Sequence, residues 1–206
     1  MKNCWKRKEN KVKSIGIAGS IRGSGATHLS VALANYAASG LGEKTACLEL
    51  GGHGELAHWK AANAKGYFTD KQIHYYSDCK REQIPTLING GYEKIILDFG
   101  DAYKSCQGEL LRCDRKIVLL GLNPWQKFAA EKMIEQIQGE EWGNTEPIYA
   151  SIHAVKAVKR AVEREYQISV TEIPILPDPT CISRREFSYM DFLLGRDAAN
   201  YRKKKL

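Results

Sequence analysis

Short apolar runs alternate along this chain with segments of helical periodicity, and this alternation limits the possible folds more than any other feature. Two runs, KIILDF and KIVLLG, are apolar on consecutive residues, as in strands that are buried on both faces. The sequence therefore predicts an α/β protein with a mostly parallel sheet flanked by helices on both faces, and these two runs are predicted to be inner strands. The predicted strands are 12–18, 45–50, 73–76, 94–99, 116–121, 148–152 and 168–173.

Helical periodicity is clearest in three segments between these strands. The first, 27–38, follows a glycine-rich loop, and the second, 124–138, begins with proline, which is favoured in the first turn of a helix. The third, 154–166, has its basic residues mainly on one side and valines on the other. For the apolar segment 187–194 two interpretations stay open: a helix that packs in the core, or a face that rests on an anionic membrane.

The size and composition of the chain favour one domain with basic tails. We expect tails at 1–11 and 201–206 around a single α/β domain at 12–200. No signal peptide opens the sequence, and its longest apolar stretch, 117–122, is far below the ~20 residues that cross a bilayer. The six cysteines form no CxxC pair, which is typical of reduced cytosolic thiols. We therefore expect a cytoplasmic protein, or one bound peripherally at the inner face of the membrane.

The glycine-rich loop 19–25 joins the first predicted strand to the first predicted helix, which is where a phosphate-binding P-loop would lie. Glycine lets consecutive backbone N–H groups approach a phosphate at the N-terminus of a helix. Thr27 stands where P-loops place a magnesium ligand, but the residue before it, normally Lys, is Ala26. If the loop has instead collapsed onto itself, we expect it to bind no nucleotide. The residues predicted to contact a nucleotide here are Arg22, Gly23, Ser24, Gly25, Ala26, Thr27 and His28.

Loss of the lysine affects hydrolysis more than binding. A Lys at position 26 would contribute roughly 1.5–3 kcal/mol, so its absence weakens phosphate binding by about tenfold to a hundredfold. A cation at the transferring phosphoryl group is worth ~10³ to 10⁵ in rate. Arg22 lies inside the loop, but its planar head does not reproduce the position of an ammonium group. The pattern indicates a pseudo-ATPase with little or no turnover.

Three blocks of the sequence, GSIRGSGATHLSVALANYAAS, KTACLELGGHGEL and YEKIILDFGD, resemble the MinD/ParA family of deviant P-loop ATPases, and within it the divergent TadZ/CpaE branch that serves pilus assembly. The resemblance implies ATP or ADP with Mg²⁺ at the loop, with Thr27 and Asp98 as the magnesium residues. It places Glu49 at the first switch aspartate, which makes it the catalytic candidate. The stretch IPILPDP is similar to the family's base-flanking loop and adds Pro177 to the nucleotide contacts.

The chain also departs from the family pattern. Ile21 and Ala26 stand where the family has lysines, and Gly51 stands at the second switch aspartate. The stretch YASIHAVKAV lacks the asparagine that commonly reads adenine in relatives. Because several catalytic residues of the family are missing together, a pseudo-ATPase is favoured over a working enzyme. His53 and His58 lie in the switch-like loop, but no spacing supports a metal site, and we assign them no role.

These observations predict a nucleotide-binding or structural adaptor that forms a homodimer, face to face across the phosphate loops as the resemblance implies. Its unidentified protein partner would belong to a pilus or secretion machine. One alternative is an active ATPase that a partner stimulates. Another is a protein that binds DNA non-specifically, or a membrane surface, through its basic segments, because the formal net charge is +7. The candidate DNA contacts are Lys156, Lys159, Arg160, Arg164 and the tails.

Overall fold

The chain folds around one eight-stranded sheet in a computed structural model that describes residues 13–142 and 145–196. The strand order is β3-β4-β2-β5-β1-β6-β7-β8, and all neighbours are parallel except the β3–β4 hairpin. Both predicted inner strands, β5 and β6, have a neighbour on each side, so the predicted fold class is confirmed. The strands are β1 Ser14–Gly19, β2 Thr45–Glu49, β3 Phe68–Asp70, β4 Ile73–Tyr76, β5 Lys94–Asp98, β6 Arg115–Leu119, β7 Ile148–Ser151 and β8 Val170–Glu172.

Helices cover both faces of this sheet. The predicted helix at 27–38 is found as α1, which continues into a π-helical turn, Tyr36–Gly40. The predicted helix at 124–138 begins at Lys127, because the chain at 124–126 forms a turn. The helices are α1 Ala26–Asn35, α2 Glu55–Trp59, α3 Ile84–Asn89, α4 Tyr103–Arg112, α5 Lys127–Gln138, α6 Lys156–Tyr166 and α7 Phe187–Leu194.

The C-terminal helix α7 lies in the hydrophobic core that α1 shares on one face of the sheet. Met190 and Leu193 are both 0% exposed, and burying each such side chain stabilises the fold by about 1.5–3 kcal/mol. Gly195, with a φ of 77°, ends the helix in the left-handed conformation. Of the two interpretations of this segment, the structure supports the core helix. Within residues 13–142 and 145–196, no helix has both the length and the apolar character that a membrane span requires.

The central strands place the glycine loop and two carboxylates at one edge of the sheet. Ile17 of β1 and Glu49 of β2 are both in register with Asp98 of β5. Because these strands are parallel, their carboxyl ends meet at this edge, where ligands bind in open α/β sheets. The N–H of Gly19 donates to the carbonyl of Gly100 (2.6 Å), which ties the start of the loop to the chain after β5. The tails 1–11 and 201–206 lie outside the described residues.

Candidate functional site

The loop between β1 and α1 depends on glycine for its backbone conformation. Gly23 and Gly25 have φ values of 80° and 95°, in the left-handed region that side chains disfavour. A Cβ at Gly25 would lie 2.3 Å from Cδ1 of Ile152, the end of a flexible side chain that would have to move. Ser20 fastens the loop: its N–H donates to the carbonyl of Leu119 (2.8 Å), and its hydroxyl accepts from the N–H of Gly121 (2.9 Å).

The N-terminus of α1 is open toward this loop. Helix α1 begins after Gly25 without a side-chain cap, and the first N–H groups of a helix have no partner within the helix. These groups and the helix dipole favour an anion. They border a cavity of about 200 Å³ that we call the phosphate cleft, because its shape and donors suit a phosphate chain. Its lining brings together seven of the predicted residues: Arg22, Gly23, Ser24, Gly25, Ala26, Thr27 and His28.

Asp98 ends β5 and interacts with the side chain of Thr27, which lines the cleft; Asp98 itself is 1% exposed. Its Oδ1 accepts from the N–H of Gly100 (3.0 Å), whereas Oδ2 is buried without a hydrogen-bond partner among the described residues. Burial raises the pKa of Asp98 to about 6, although the Thr27 hydroxyl and the Gly100 N–H favour the charged form and oppose this shift. A buried carboxylate oxygen beside a hydroxyl group fits a hard divalent cation such as Mg²⁺.

Glu49 is also buried, with 3% exposure, and its carboxylate holds the start of α2. It accepts from the N–H groups of Glu55 (2.7 Å) and Leu56 (3.1 Å). Burial and a hydrogen bond with the Glu55 side chain raise the pKa of Glu49 to about 7. The carboxylate therefore fixes the loop between β2 and α2, residues 50–54. Its predicted catalytic role stays a prediction.

His53 and Asp101 connect the loop after β2 to the loop after β5. The Nε2–H of His53 donates to Oδ1 of Asp101 (2.5 Å), and both residues line the phosphate cleft. The backbones of the two loops touch, since a Cβ at Gly51 would lie 3.1 Å from the carbonyl of Phe99 and 3.2 Å from the N–H nitrogen of Gly100. Sequence reasoning missed this pair. Its two members are 48 residues apart, and no local pattern links them.

A second cavity, of about 250 Å³, adjoins the glycine loop on the side of β7 and β8. Ile152 and Ile173 form part of an apolar wall, and the Nε2–H of His28 donates to the carbonyl of Leu176 (2.7 Å). Its lining combines apolar side chains with polar groups, as small-molecule sites do, and its volume is below the ~300–1,000 Å³ of typical ligand pockets. Pro174 lines it, whereas Pro177 is exposed and lies one residue beyond the lining stretch.

The other predicted contacts lie apart from these cavities. Lys156, Arg160 and Arg164 are exposed and spaced four residues apart along α6, so they share one helix face. Lys159 is instead paired with Glu172 (2.8 Å). Trp125, which follows the β6 strand, is 79% exposed and is not a core residue.

Comparison with known proteins identifies the fold. No protein-family model matches the sequence, and no curated protein is significantly similar to it. Among solved structures, a ParA family ATPase from Chlorobium tepidum matches with a TM-score of 0.64 and 11% identity, over 95% of this chain and 94% of that one. Cobyrinic acid a,c-diamide synthase from Mycobacterium smegmatis, with bound ADP and magnesium, matches with a TM-score of 0.63 and 13% identity, over 89% of this chain and 94% of that one.

A third match is the MinC:MinD cell division complex of Aquifex aeolicus, with a TM-score of 0.55 and 17% identity, over 82% of this chain and 84% of that one. The chain therefore has the fold of the ParA and MinD P-loop NTPases. Identities this low establish the fold alone.

Proposed function

We propose that this chain is a MinD/ParA-like protein of the TadZ/CpaE type that binds ATP or ADP with Mg²⁺ and hydrolyses ATP slowly or not at all. The observation that carries the proposal is the phosphate cleft: an open helix N-terminus meets Thr27 and a buried, unpartnered oxygen of Asp98, and none of the described residues that line the cleft is a lysine.

Each part of the cleft has a task in binding. The N–H groups of the glycine loop and of the first turn of α1 would donate to phosphate oxygens, where the helix dipole adds favourable electrostatics. Thr27 and Asp98 would hold the magnesium ion, which neutralises phosphate charge when bound. The nucleoside would occupy the second cavity, which His28 and Leu176 help to line.

The same cleft supports slow or absent turnover. Phosphoryl transfer depends on cations at the transferring group, and their loss costs ~10³ to 10⁵ in rate. Ala26 and Ile21 supply no charge. Gly51 has no side chain to orient a water molecule, and the Glu49 carboxylate is occupied by two backbone N–H groups.

We propose further that nucleotide-bound chains dimerise across the phosphate cleft and recruit a protein partner of a pilus or secretion machine. The solved complex of MinD with MinC shows that a protein of this fold binds a protein partner, which supports the proposed recruitment of a partner. The exposed aromatic side chains Trp125 and Phe128 offer anchors of the kind that protein interfaces use.

Equilibrium titration with fluorescent ATP and ADP, with and without Mg²⁺, tests the binding proposal. We expect Mg²⁺-dependent binding that Thr27→Ala and Asp98→Ala weaken at least tenfold. Thr86→Ala, on the exposed face of α3, is the matched control and should bind as the natural chain does. Equal affinity in all four proteins would contradict the site, as would no binding to any of them. Phosphate release above background with a partner present would favour the stimulated ATPase instead.

The exposed basic face of α6 supports DNA binding as a second candidate function. Contacts to phosphates release counterions, so retention on DNA must fall steeply with salt. Replacing Lys156, Arg160 and Arg164 together with glutamine should abolish retention at low salt. Unchanged retention in this variant would exclude the α6 face as the DNA contact.

A further inference from the structure

The phosphate cleft is lined by a histidine, His53, that no family pattern predicts as a phosphate contact. Among the described residues, three side chains that can carry positive charge line the cleft: Arg22, His28 and His53. His28 is hydrogen-bonded across to Leu176 on the nucleoside side, and Arg22 is exposed at the rim. His53 is half-buried and is attached to the opposite wall of the cleft.

The surroundings of His53 orient its ring. Nε2–H donates to Asp101 Oδ1 at 2.5 Å, and an imidazolium keeps a second donor, Nδ1–H, for another acceptor. The glycines on both sides, Gly52 and Gly54, have φ values of 74° and 72°. These conformations turn the loop sharply at His53. Gly51 packs against Gly100, so the loop lies against the chain after β5.

The charges around His53 favour its protonated form. The hydrogen bond to Asp101 raises the pKa of His53 above its usual range, and Glu55 at the start of α2 acts in the same direction. Partial burial and Arg22 act against this shift. From the remaining elements at the cleft, Asp98 of β5 interacts electrostatically with His53, and His28 of α1 lines the same cavity. The ring therefore carries more positive charge near neutral pH than a free histidine does.

We propose that the imidazolium of His53, oriented by Asp101, is the side-chain cation that binds the phosphate chain of the nucleotide in place of the missing lysines. This inference rests on the proposed function, because it needs a nucleotide in the cleft. It makes binding dependent on protonation: the nucleotide binds tightly when His53 is charged and weakly when it is neutral. Asp101 is a positioning residue, since it acts through His53.

Affinities measured from pH 6.5 to pH 9 on variants of His53 test the proposal. A charge-assisted contact is worth about tenfold to a hundredfold in affinity. His53→Gln should therefore bind Mg-ATP about that much more weakly than the natural chain at pH 6.5, and the difference should shrink toward pH 9. His53→Lys keeps its charge and should stay tight at pH 9. His58→Gln, on exposed α2 five residues away, is the matched control and should follow the natural chain.

Histidine NMR gives a readout that does not depend on turnover. The pKa of His53 should rise when Mg-ATP binds, and Asp101→Asn should lower it in the free protein, which shifts the affinity profile to lower pH. Binding by the natural chain that is lost in Thr27→Ala but is equal in His53→Gln at every pH would overturn this inference and leave the proposed function standing. Absence of nucleotide binding by the natural chain at pH 6.5 would overturn both.

Discussion

Asp98 should lower the stability of the free protein, and replacing it with asparagine should raise that stability. The carboxylate is almost fully buried, and Oδ2 has no hydrogen-bond partner among the described residues. Asparagine has nearly the same shape and carries no charge. Its Oδ1 can still accept from Gly100, so Asp98→Asn removes the buried charge without opening a cavity.

The magnitude follows from the pKa of Asp98 in the folded state. Burial raises this pKa from 3.8 to about 6, so the folded state binds a proton more tightly than the unfolded state does. The free energy of unfolding therefore falls as pH rises from about 4 to about 6, by about 3 kcal/mol in total. Asp98→Asn should recover this amount at pH 7.5 and almost none of it at pH 4.

Asp114 supplies a control of opposite sign. Its Oδ2 accepts hydrogen bonds from the N–H of Lys13 (2.9 Å) and from the N–H (2.8 Å) and the hydroxyl (2.9 Å) of Ser14. Although burial opposes it, these bonds hold the pKa of Asp114 below its usual range, so its charge stabilises the fold at neutral pH and this contribution is lost as pH falls. Asp114→Asn should therefore destabilise the protein at pH 7.5.

Urea unfolding of the three proteins without nucleotide, at pH 4 and pH 7.5, measures these differences. The reasoning is refuted if Asp98→Asn is no more stable than the natural chain at pH 7.5, or if its gain is equal at both pH values. A gain in stability together with loss of Mg²⁺-dependent nucleotide binding would show that the fold retains an unfavourable charge at its binding site.

Four other substitutions test the loop and the core. Ala26→Lys restores the missing cation and should tighten ATP binding by about tenfold to a hundredfold in fluorescence titration; unchanged affinity in a folded variant would contradict the role given to this position. Gly25→Ala places a Cβ against Ile152 at a positive φ and should lower the free energy of unfolding by more than the ~1–3 kcal/mol of backbone strain alone. Gly42 also has a positive φ, 70°, but a Cβ there would have no atom within 4 Å, so Gly42→Ala should show the backbone strain alone. Equal losses of stability in the two variants would show that the contact with Ile152 adds nothing. Leu193→Ala in α7 should cost about 2–5 kcal/mol in urea unfolding, and a loss below about 1 kcal/mol would contradict its place in the core.

Sequence reasoning succeeded where the signal is local. Consecutive apolar residues in β5 and β6 mark strands covered on both faces, and glycines between a strand and a helix mark the loop at the head of α1. It missed the three-residue edge strand β3 and the short helices α2 and α3, which have too few residues to show a period. Helix α4 was also missed: Gly108 weakens its sequence pattern, and in the structure a non-helical φ of −121° at Cys106 kinks it.

By itself, the sequence determined the parallel sheet, the position of the glycine loop and the loss of its lysines, since each depends on residues that are neighbours in the chain. Only the tertiary structure decided which charges meet in the phosphate cleft. It left Asp98 Oδ2 without a partner among the described residues, engaged Glu49 with the start of α2, and joined His53 to Asp101 across 48 residues. Such contacts arise when parallel strands bring their carboxyl ends to one edge, where burial raises the pKa values of Asp98 and Glu49.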